Sequence, residues 1–441
     1  MDCTEEQRTA INAVLEGKSI FLTGAGGTGK SFLLQTLYNE YTATGKTMAV
    51  TAMTGCAALL LNPIPAKTLH SWAGIGLGKD PLSVLVSSIA MNGRKKKAWR
   101  STDCLVIDEV SMLTPALLET LERIGSIIRK GNSGKPFGGL QVVLVGDFHQ
   151  LPPVVKDGQP ISFAFESPTW TKIIQESFQL QKIHRQKDVV FQQILQQARR
   201  GEISPEAVTL LMERKGISWK GQPIKPTLLF TRNVDVDDIN EAHLNKLAGD
   251  VVSFVAETKG APSDGTLDKF CGASGALDGI PEAELNMLVS KLDKDAPYEP
   301  VLKLKVGAQV MLLTNLDQEG GLVNGSRGVV RGFSSDGLPL VKFINTLTPI
   351  AIKHAIWSTE KGIGRKQIPL RLAYALTIHK AQGMSLDSAL VDVGPATFEY
   401  GQAYVALSRV RSLESLYVFA FDAKSFKVHP AVKSFYEKLR S

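Results

Sequence analysis

Residues 19–31, Ser19-Ile20-Phe21-Leu22-Thr23-Gly24-Ala25-Gly26-Gly27-Thr28-Gly29-Lys30-Ser31, decide the fold. Ser19 to Thr23 is a short apolar run of the kind found in strands buried on both faces. From Ser31 to Tyr38 the residues favour a helix. The intervening loop fits G-x-x-x-x-G-K-[ST] between a strand and a helix, the context such a loop requires. Its glycines let the backbone wrap a phosphate in conformations a Cβ would obstruct. Loop N–H groups and the helix N-terminus then face the phosphate oxygens. Gly24, Gly26, Gly27, Thr28 and Gly29 are therefore assigned to the phosphates of ATP. Lys30 is expected on the β- and γ-phosphates and Ser31 on Mg²⁺.

The same texture continues outward. Met48 to Ala52, Cys104 to Ile107 and Gln141 to Val145 are further buried strands. Pro115 to Arg129 places Leu117, Leu118, Leu121, Ile124 and Ile128 at helical spacing. Strands alternating with helices predict a doubly wound α/β domain. Val106-Ile107-Asp108-Glu109 follows the phosphate loop on this sheet. It offers Asp108 for Mg²⁺ through its water shell and Glu109 as general base for an attacking water. Gln150, in Gly146-Asp147-Phe148-His149-Gln150-Leu151-Pro152-Pro153, either senses the γ-phosphate or sits in a plain loop turned by Pro152. His149 has no second metal ligand at a suitable spacing. Gln7 either reads adenine N6 and N7 through its amide or is a helical surface residue.

The pattern restarts with strand-like Thr227 to Thr231, Ala389 to Asp392 and Ser415 to Phe419, and with helical Val234 to Leu247 and His429 to Leu439. A second α/β domain is expected. Between Leu302 and Leu370 short strands separated by Gly, Asn and Asp turns predict a small all-β insert. Lys259 to Pro300 is expected to be loop-rich. The 441 residues suggest two to four domains, and the net charge of +7 fits a polyanionic partner without requiring one. Cys3, Cys56, Cys104 and Cys271 form no CxxC pair, which argues against disulfides and structural zinc. No apolar run reaches the roughly 18 residues of a membrane helix. Met1 to Arg8 is short, polar and acidic, unlike a leader, so an intracellular protein or a core cut from a longer chain is expected.

Taken together, Thr23 to Ser31, Val106 to Met112 and Gly146 to Pro153 resemble motifs of superfamily 1B helicases. Ile127 to Gln141, Val306 to Leu313 and Gly321 to Gly325 resemble the signature of the Pif (petite-integration-frequency) family, and Thr377 to Met384 and Gly401 to Arg409 resemble helicase motifs V and VI. The matches keep the family's order from Gln7 to Arg409. The resemblance implies two RecA-like domains, parallel sheets with helices on both faces, plus a small wedge insert and a small barrel-like all-β insert. Its expected bounds are 1–60 with 101–180, wedge 61–100, 181–304 with 371–441, and β insert 305–370. It implies 5′-to-3′ movement on single-stranded DNA and unwinding of forks, RNA–DNA hybrids and G-quadruplexes, in replication, repair, recombination or telomere maintenance. It also implies a resting monomer, with a dimer on DNA. A nuclear or mitochondrial setting follows for a eukaryotic source and a cytoplasmic one for a bacterial source. Arg185 and Arg409 become the arginines that the second domain presents to the γ-phosphate, and Gln382 and Gly383 join the nucleotide side. An ATP-gated single-strand translocase that separates no strands is the alternative.

Thr51 to Gly55 resembles motif Ia, and Thr68 to Gly74 the element after it. Thr54, Gly55, Thr68 and His70 are candidates for contact with single-stranded DNA, as are Thr231, Thr377 and His379. Trp72 is either a base-stacking or a packing aromatic. Met53 replaces the family's common serine. Asn62 to Ala66 is the candidate wedge, and Arg94 to Lys97 is either a solvated face or a phosphate contact.

Overall fold

The computed structural model describes every residue except 1–2, 62, 77, 130–133, 156–158, 220–223, 232, 261–280, 295, 297, 315, 318–321, 323, 345, 359–362 and 441. Asn62 of the wedge loop, Gly321 and Val323 of the family signature, and Cys271 lie outside the described residues. The chain forms two compact units, Met1–Ile217 with Val391–Ser441, and Ser218–Leu390.

The first unit is built on six strands, β1 Ile20–Gly24, β2 Met48–Ala52, β3 Lys67–Thr68, β4 Cys104–Asp108, β5 Gln141–Gly146 and β6 Glu176–Leu180. They lie in the order β3-β2-β4-β5-β1-β6, and every pairing is parallel. Side chains alternate between the two faces of a strand, and here both faces are apolar. Phe21, Leu105, Ile107, Val142 and Leu144 join one core, while Ile20, Leu22, Cys104, Val106, Val143 and Val145 join the other. The first core is covered by Leu118, Leu121 and Ile124 of helix Pro115–Ile128 and by Val432 and Tyr436 of helix Pro430–Arg440. The second is covered by α1, Glu5–Leu15, and α2, Lys30–Ala43. The helices begin where sequence chemistry dictates. Thr4 and Gln7 form a reciprocal capping box on α1, and Thr114 caps the helix that Pro115 opens.

Three features depart from the sequence reading. Strand β6 was not anticipated, because Glu-Ser-Phe-Gln-Leu at the sheet edge is mostly half-exposed and carries little apolar signal. Helix Glu282–Lys294 lies inside the stretch expected to be loop-rich. Within 61–100, helices Leu82–Met91 and Gly93–Ser101 bury Leu85, Ile89 and Trp99 in the first core. Of the wedge loop, Ile64 is buried in the second core while Pro63 and Pro65 are exposed. In the basic run, Lys95 donates to the Gly74 carbonyl at 2.8 Å, and Arg94 and Lys97 are exposed.

In the second unit, Thr227–Phe230 and Ala375–Thr377 pair in parallel beside helix Asn233–Asn245. The Asn240 amide of that helix clamps the second strand, accepting from Ala375 N–H and donating to its carbonyl, both at 3.0 Å. The β insert is a five-stranded antiparallel sheet of Gln309–Leu312, Arg327–Phe333, Pro339–Phe343, Ile350–Ala351 and Leu370–Leu372 around its own core. Among the described residues no helix is long and apolar enough to cross a membrane.

Candidate functional site

The loop Gly24–Gly29 leaves β1 and enters α2 through Gly29, whose φ of 84° only glycine adopts without strain. Gly27, at φ +88°, is crowded as well: a Cβ there would lie 2.6 Å from Arg185 Cβ and 3.0 Å from Gln186 Oε1. A Cβ on Gly29 would lie 2.8 Å from Gln7 Nε2. Gln7 is therefore beside the loop, with its Oε1 accepting from Thr4 N–H at 3.0 Å. Tyr404 Oη accepts from Gly26 N–H at 2.7 Å, and the Lys30 ammonium donates to the Gly24 and Ala25 carbonyls at 2.7 and 3.1 Å. Burial lowers the pKa of Lys30, opposed by the charges of Asp147, Glu109 and Asp108. Ser31 is exposed in the first turn of α2.

Asp108 ends β4, and burial reinforced by the Glu109 charge raises its pKa from 3.8 to about 7. Its Oδ1 accepts from Glu109 N–H at 2.9 Å. Among the described residues Glu109 is one of two non-glycine residues at positive φ, 55°. Such strain is tolerated where the surroundings fix it, often at functional sites. Beyond β5, Asp147 is fully buried and paired with Arg199 by two bonds of 2.8 Å. Burial alone would raise its carboxyl, but Arg199 and His149 hold it well below the usual carboxylate range. Gln150 is buried next to this pair, its N–H on the Asp147 carbonyl at 2.9 Å.

The arginines come from two distant segments. His184 and Arg185 donate backbone N–H groups to the Gly27 carbonyl at 2.8 and 3.2 Å, and the Arg185 guanidinium reaches Ser408 O at 3.2 Å. Arg409 follows helix Gln402–Leu407 and is 1% exposed, bonded to Val405 O and Ser408 Oγ at 2.8 and 2.6 Å. Burial, then the charge of Arg185, lowers the pKa of Arg409, while Glu109 opposes this. Lys30, Asp108, Glu109, Gln150, Arg185 and Arg409 thus all belong to the first unit, around one loop.

Models of known families match this chain twice. One described as PIF1-like helicase matches residues 2–208, and one described as DNA helicase Pif1, 2B domain, matches residues 288–333. The Homo sapiens ATP-dependent DNA helicase PIF1 is 41% identical over 99% of this chain, which spans 64% of that relative. The crystal structure of Candida albicans Pif1 helicase is 35% identical, covers 100% of both chains and superposes with a TM-score of 0.80. This chain belongs to the Pif1-like helicase family. A Bacteroides Pif1 solved with ADP-AlF3 and ssDNA is 28% identical, covering 100% of this chain and 98% of that one, at a TM-score of 0.66.

In this Pif1-like chain the candidates for DNA contact fall in both units. Ala52 of β2 pairs with Thr68 of β3, so Thr54 and Thr68 emerge at neighbouring strand ends. Thr54 Oγ1 accepts from Ala57 N–H at 3.1 Å and Thr68 Oγ1 from Ser71 N–H at 3.2 Å. Accepting a capping bond leaves each hydroxyl proton able to donate. Gly55 opens the first of these helices, and His70 is half-buried. Trp72 is 7% exposed and packs on Trp99 with ring centroids 4.7 Å apart, so packing is the alternative the structure carries. In the second unit Thr377 pairs with Phe230, which places Thr231 and Thr377 at adjacent carboxyl ends. Thr377 starts a turn containing His379, whose pKa burial lowers, and then Gln382 and Gly383, the latter at φ +78°. Gln382 and Gly383 are therefore not in the unit that carries the phosphate loop.

Asp147, Arg199, Gln186 and Tyr404 were given no role by sequence. Asp147 and Tyr404 lie inside recognised motifs, but Arg199, at the end of an ordinary amphipathic helix, carries no local signal.

Proposed function

We propose that the chain is the motor of an ATP-driven DNA helicase that moves 5′ to 3′ on single-stranded DNA and unwinds duplex ahead of it. The observation that carries this reading is a pair of guanidinium groups, half-buried Arg185 and fully buried Arg409, gathered beside a phosphate loop that already holds Lys30. Like charges in a buried place are costly, and a triphosphate offsets that cost. Charge building on the transferring phosphoryl group is then met from the loop side by Lys30 and from the other side by the arginines. Glu109 accepts the proton of the attacking water, and Gln150 orients that water or senses the γ-phosphate. Ser31 and Asp108 are hard oxygen donors suited to Mg²⁺, which neutralises phosphate charge when bound. A cation there favours ionised Asp108, countering the burial that raises its pKa.

In this reading residues 1–60 with 101–180 and residues 181–304 with 371–441 are the motor lobes, with a wedge in 61–100 and the β insert at 305–370. The 2B match at 288–333 supports the last. Arg185 and Arg409, which fall in the same compact unit as the phosphate loop, are the arginines assigned to the γ-phosphate, and Gln382 and Gly383 are assigned to the nucleotide side. Thr54, Gly55, Thr68, His70, Thr231, Thr377 and His379 track the DNA strand. The relative solved with ssDNA supports the strand as partner. Forked DNA, RNA–DNA hybrids and G-quadruplexes are the structured substrates, with a monomer at rest and a dimer on DNA. The test is strand displacement on duplexes with a 5′ or a 3′ tail. ATP-dependent displacement restricted to the 5′ tail is expected. ATP hydrolysis stimulated by single strands without displacement favours the non-unwinding translocase, and hydrolysis indifferent to DNA overturns both.

A further inference from the structure

We propose that Tyr436, in the C-terminal helix and outside every motif, is a positioning residue for ATP hydrolysis. The inference rests on the nucleotide-site reading above. Thr23 is the last strand residue but one before the phosphate loop, and its partner in β5 is Gly146, directly before Asp147. The two strand ends thus lie side by side where the loop and the Gln150 segment diverge. Tyr436 Oη stands at this junction, 2.6 Å from Thr23 Oγ1, 3.1 Å from Phe148 N and 3.2 Å from Asp147 Oδ1.

The proton count fixes the direction of each bond. A phenol has one proton to give and two lone pairs. Phe148 N–H can only donate, so it takes one lone pair. Ionised Asp147 can only accept, so it takes the phenol proton. Thr23 must therefore donate into the remaining lone pair. Every valence of the hydroxyl is used, which a water or a rotated ring cannot reproduce in a residue 3% exposed. The ring is held as firmly. It lies 4.3 Å from the His149 ring and under the Arg199 guanidinium at 5.2 Å, while Phe435 beside it stacks on Phe165 at 4.2 Å. One phenol thus sets the spacing between the strand that feeds Lys30 and the loop that carries Gln150. Small misplacements of reacting groups cost as much as a hundredfold in rate.

The experiment is steady-state ATPase on single-stranded DNA for wild type, Tyr436→Phe, Thr23→Val and the double variant, with Val432→Ala as a control on the same helix. Tyr436→Phe and Thr23→Val are each expected to lower kcat roughly tenfold or more while KM for ATP changes less than about twofold. The double variant should lose no more than Tyr436→Phe alone, because the Thr23 bond is already broken in that variant. Val432→Ala, which opens a cavity without touching the hydroxyl, should keep kcat. If wild type hydrolyses ATP and Tyr436→Phe is equally fast, or if Val432→Ala loses as much, the positioning role is overturned. If wild type itself shows no DNA-stimulated hydrolysis, the nucleotide-site reading fails first, and this inference with it.

Discussion

Replacing Arg199 with methionine tests how the buried pair under the nucleotide site is held. The substitution keeps an unbranched side chain of similar length and removes only the guanidinium. Asp147 is 0% exposed and Arg199 3% exposed in their side chains, and the two bonds between them are both 2.8 Å. Breaking one partner of such a pair costs about 3–5 kcal/mol, chiefly because the remaining charge is buried alone. The pH dependence identifies the cause. In the wild type Asp147 sits below its ordinary value despite burial, because Arg199 and His149 outweigh it. Its pairing therefore stabilises the fold above the ordinary carboxylate value and is lost as pH falls through the folded one. In Arg199→Met the balance reverses, burial dominates and the carboxyl titrates upward. The deficit should be largest near neutrality. It should shrink by about 1.4 kcal/mol per pH unit once the variant's carboxyl begins to protonate. Urea denaturation from pH 8 to pH 5, followed on a probe in the first unit, reads this directly. Adding Asp147→Asn should recover at least half of the loss. A deficit under about 1 kcal/mol that is flat with pH would mean that Asp147 is not left as an unpaired buried charge when Arg199 is removed.

Lys30→Ala should reduce hydrolysis to background, and retained turnover would remove the phosphate-loop assignment. Glu109→Gln should bind ATP with near-normal affinity and hydrolyse it about a hundredfold or more slowly; an unchanged kcat means another base. Arg409→Ala should lose DNA-stimulated ATPase by about a thousandfold while single-strand binding persists, and loss of binding instead would misplace its role. Asp108 has a folded value raised from 3.8 to about 7, so it favours the fold at low pH and loses that contribution as pH rises through this window. Asp108→Asn should therefore gain in thermal midpoint relative to wild type between pH 5 and pH 7, and a constant difference would contradict the raised value.

Much of the first sheet was legible because it is buried on both faces. Runs such as Val142 to Val145 have one reading when helices cover both sides. The edge strand Glu176–Leu180 was not, since its polar residues satisfy solvent as readily as a sheet. Helix Glu282–Lys294 was lost in a stretch whose Gly, Asp and Pro content argued for loop. At the site, the loop and Asp108-Glu109 are spelled out by local spacing. The surroundings of Gly27 are not, because Arg185 and Gln186 arrive from more than 150 residues away and carry no periodic signal. Trp72 shows the limit from the other side. A tryptophan fits core and nucleic acid equally well until Trp99 is found against it.

A crystal structure with Mg²⁺ and ADP–aluminium fluoride would show which groups meet the transferring phosphoryl. The Lys30 ammonium and both guanidinium groups should lie within about 3 Å of the fluoride. Arg185 or Arg409 still turned onto the Ser408 backbone and side chain, with the fluoride met by other groups, would contradict that placement.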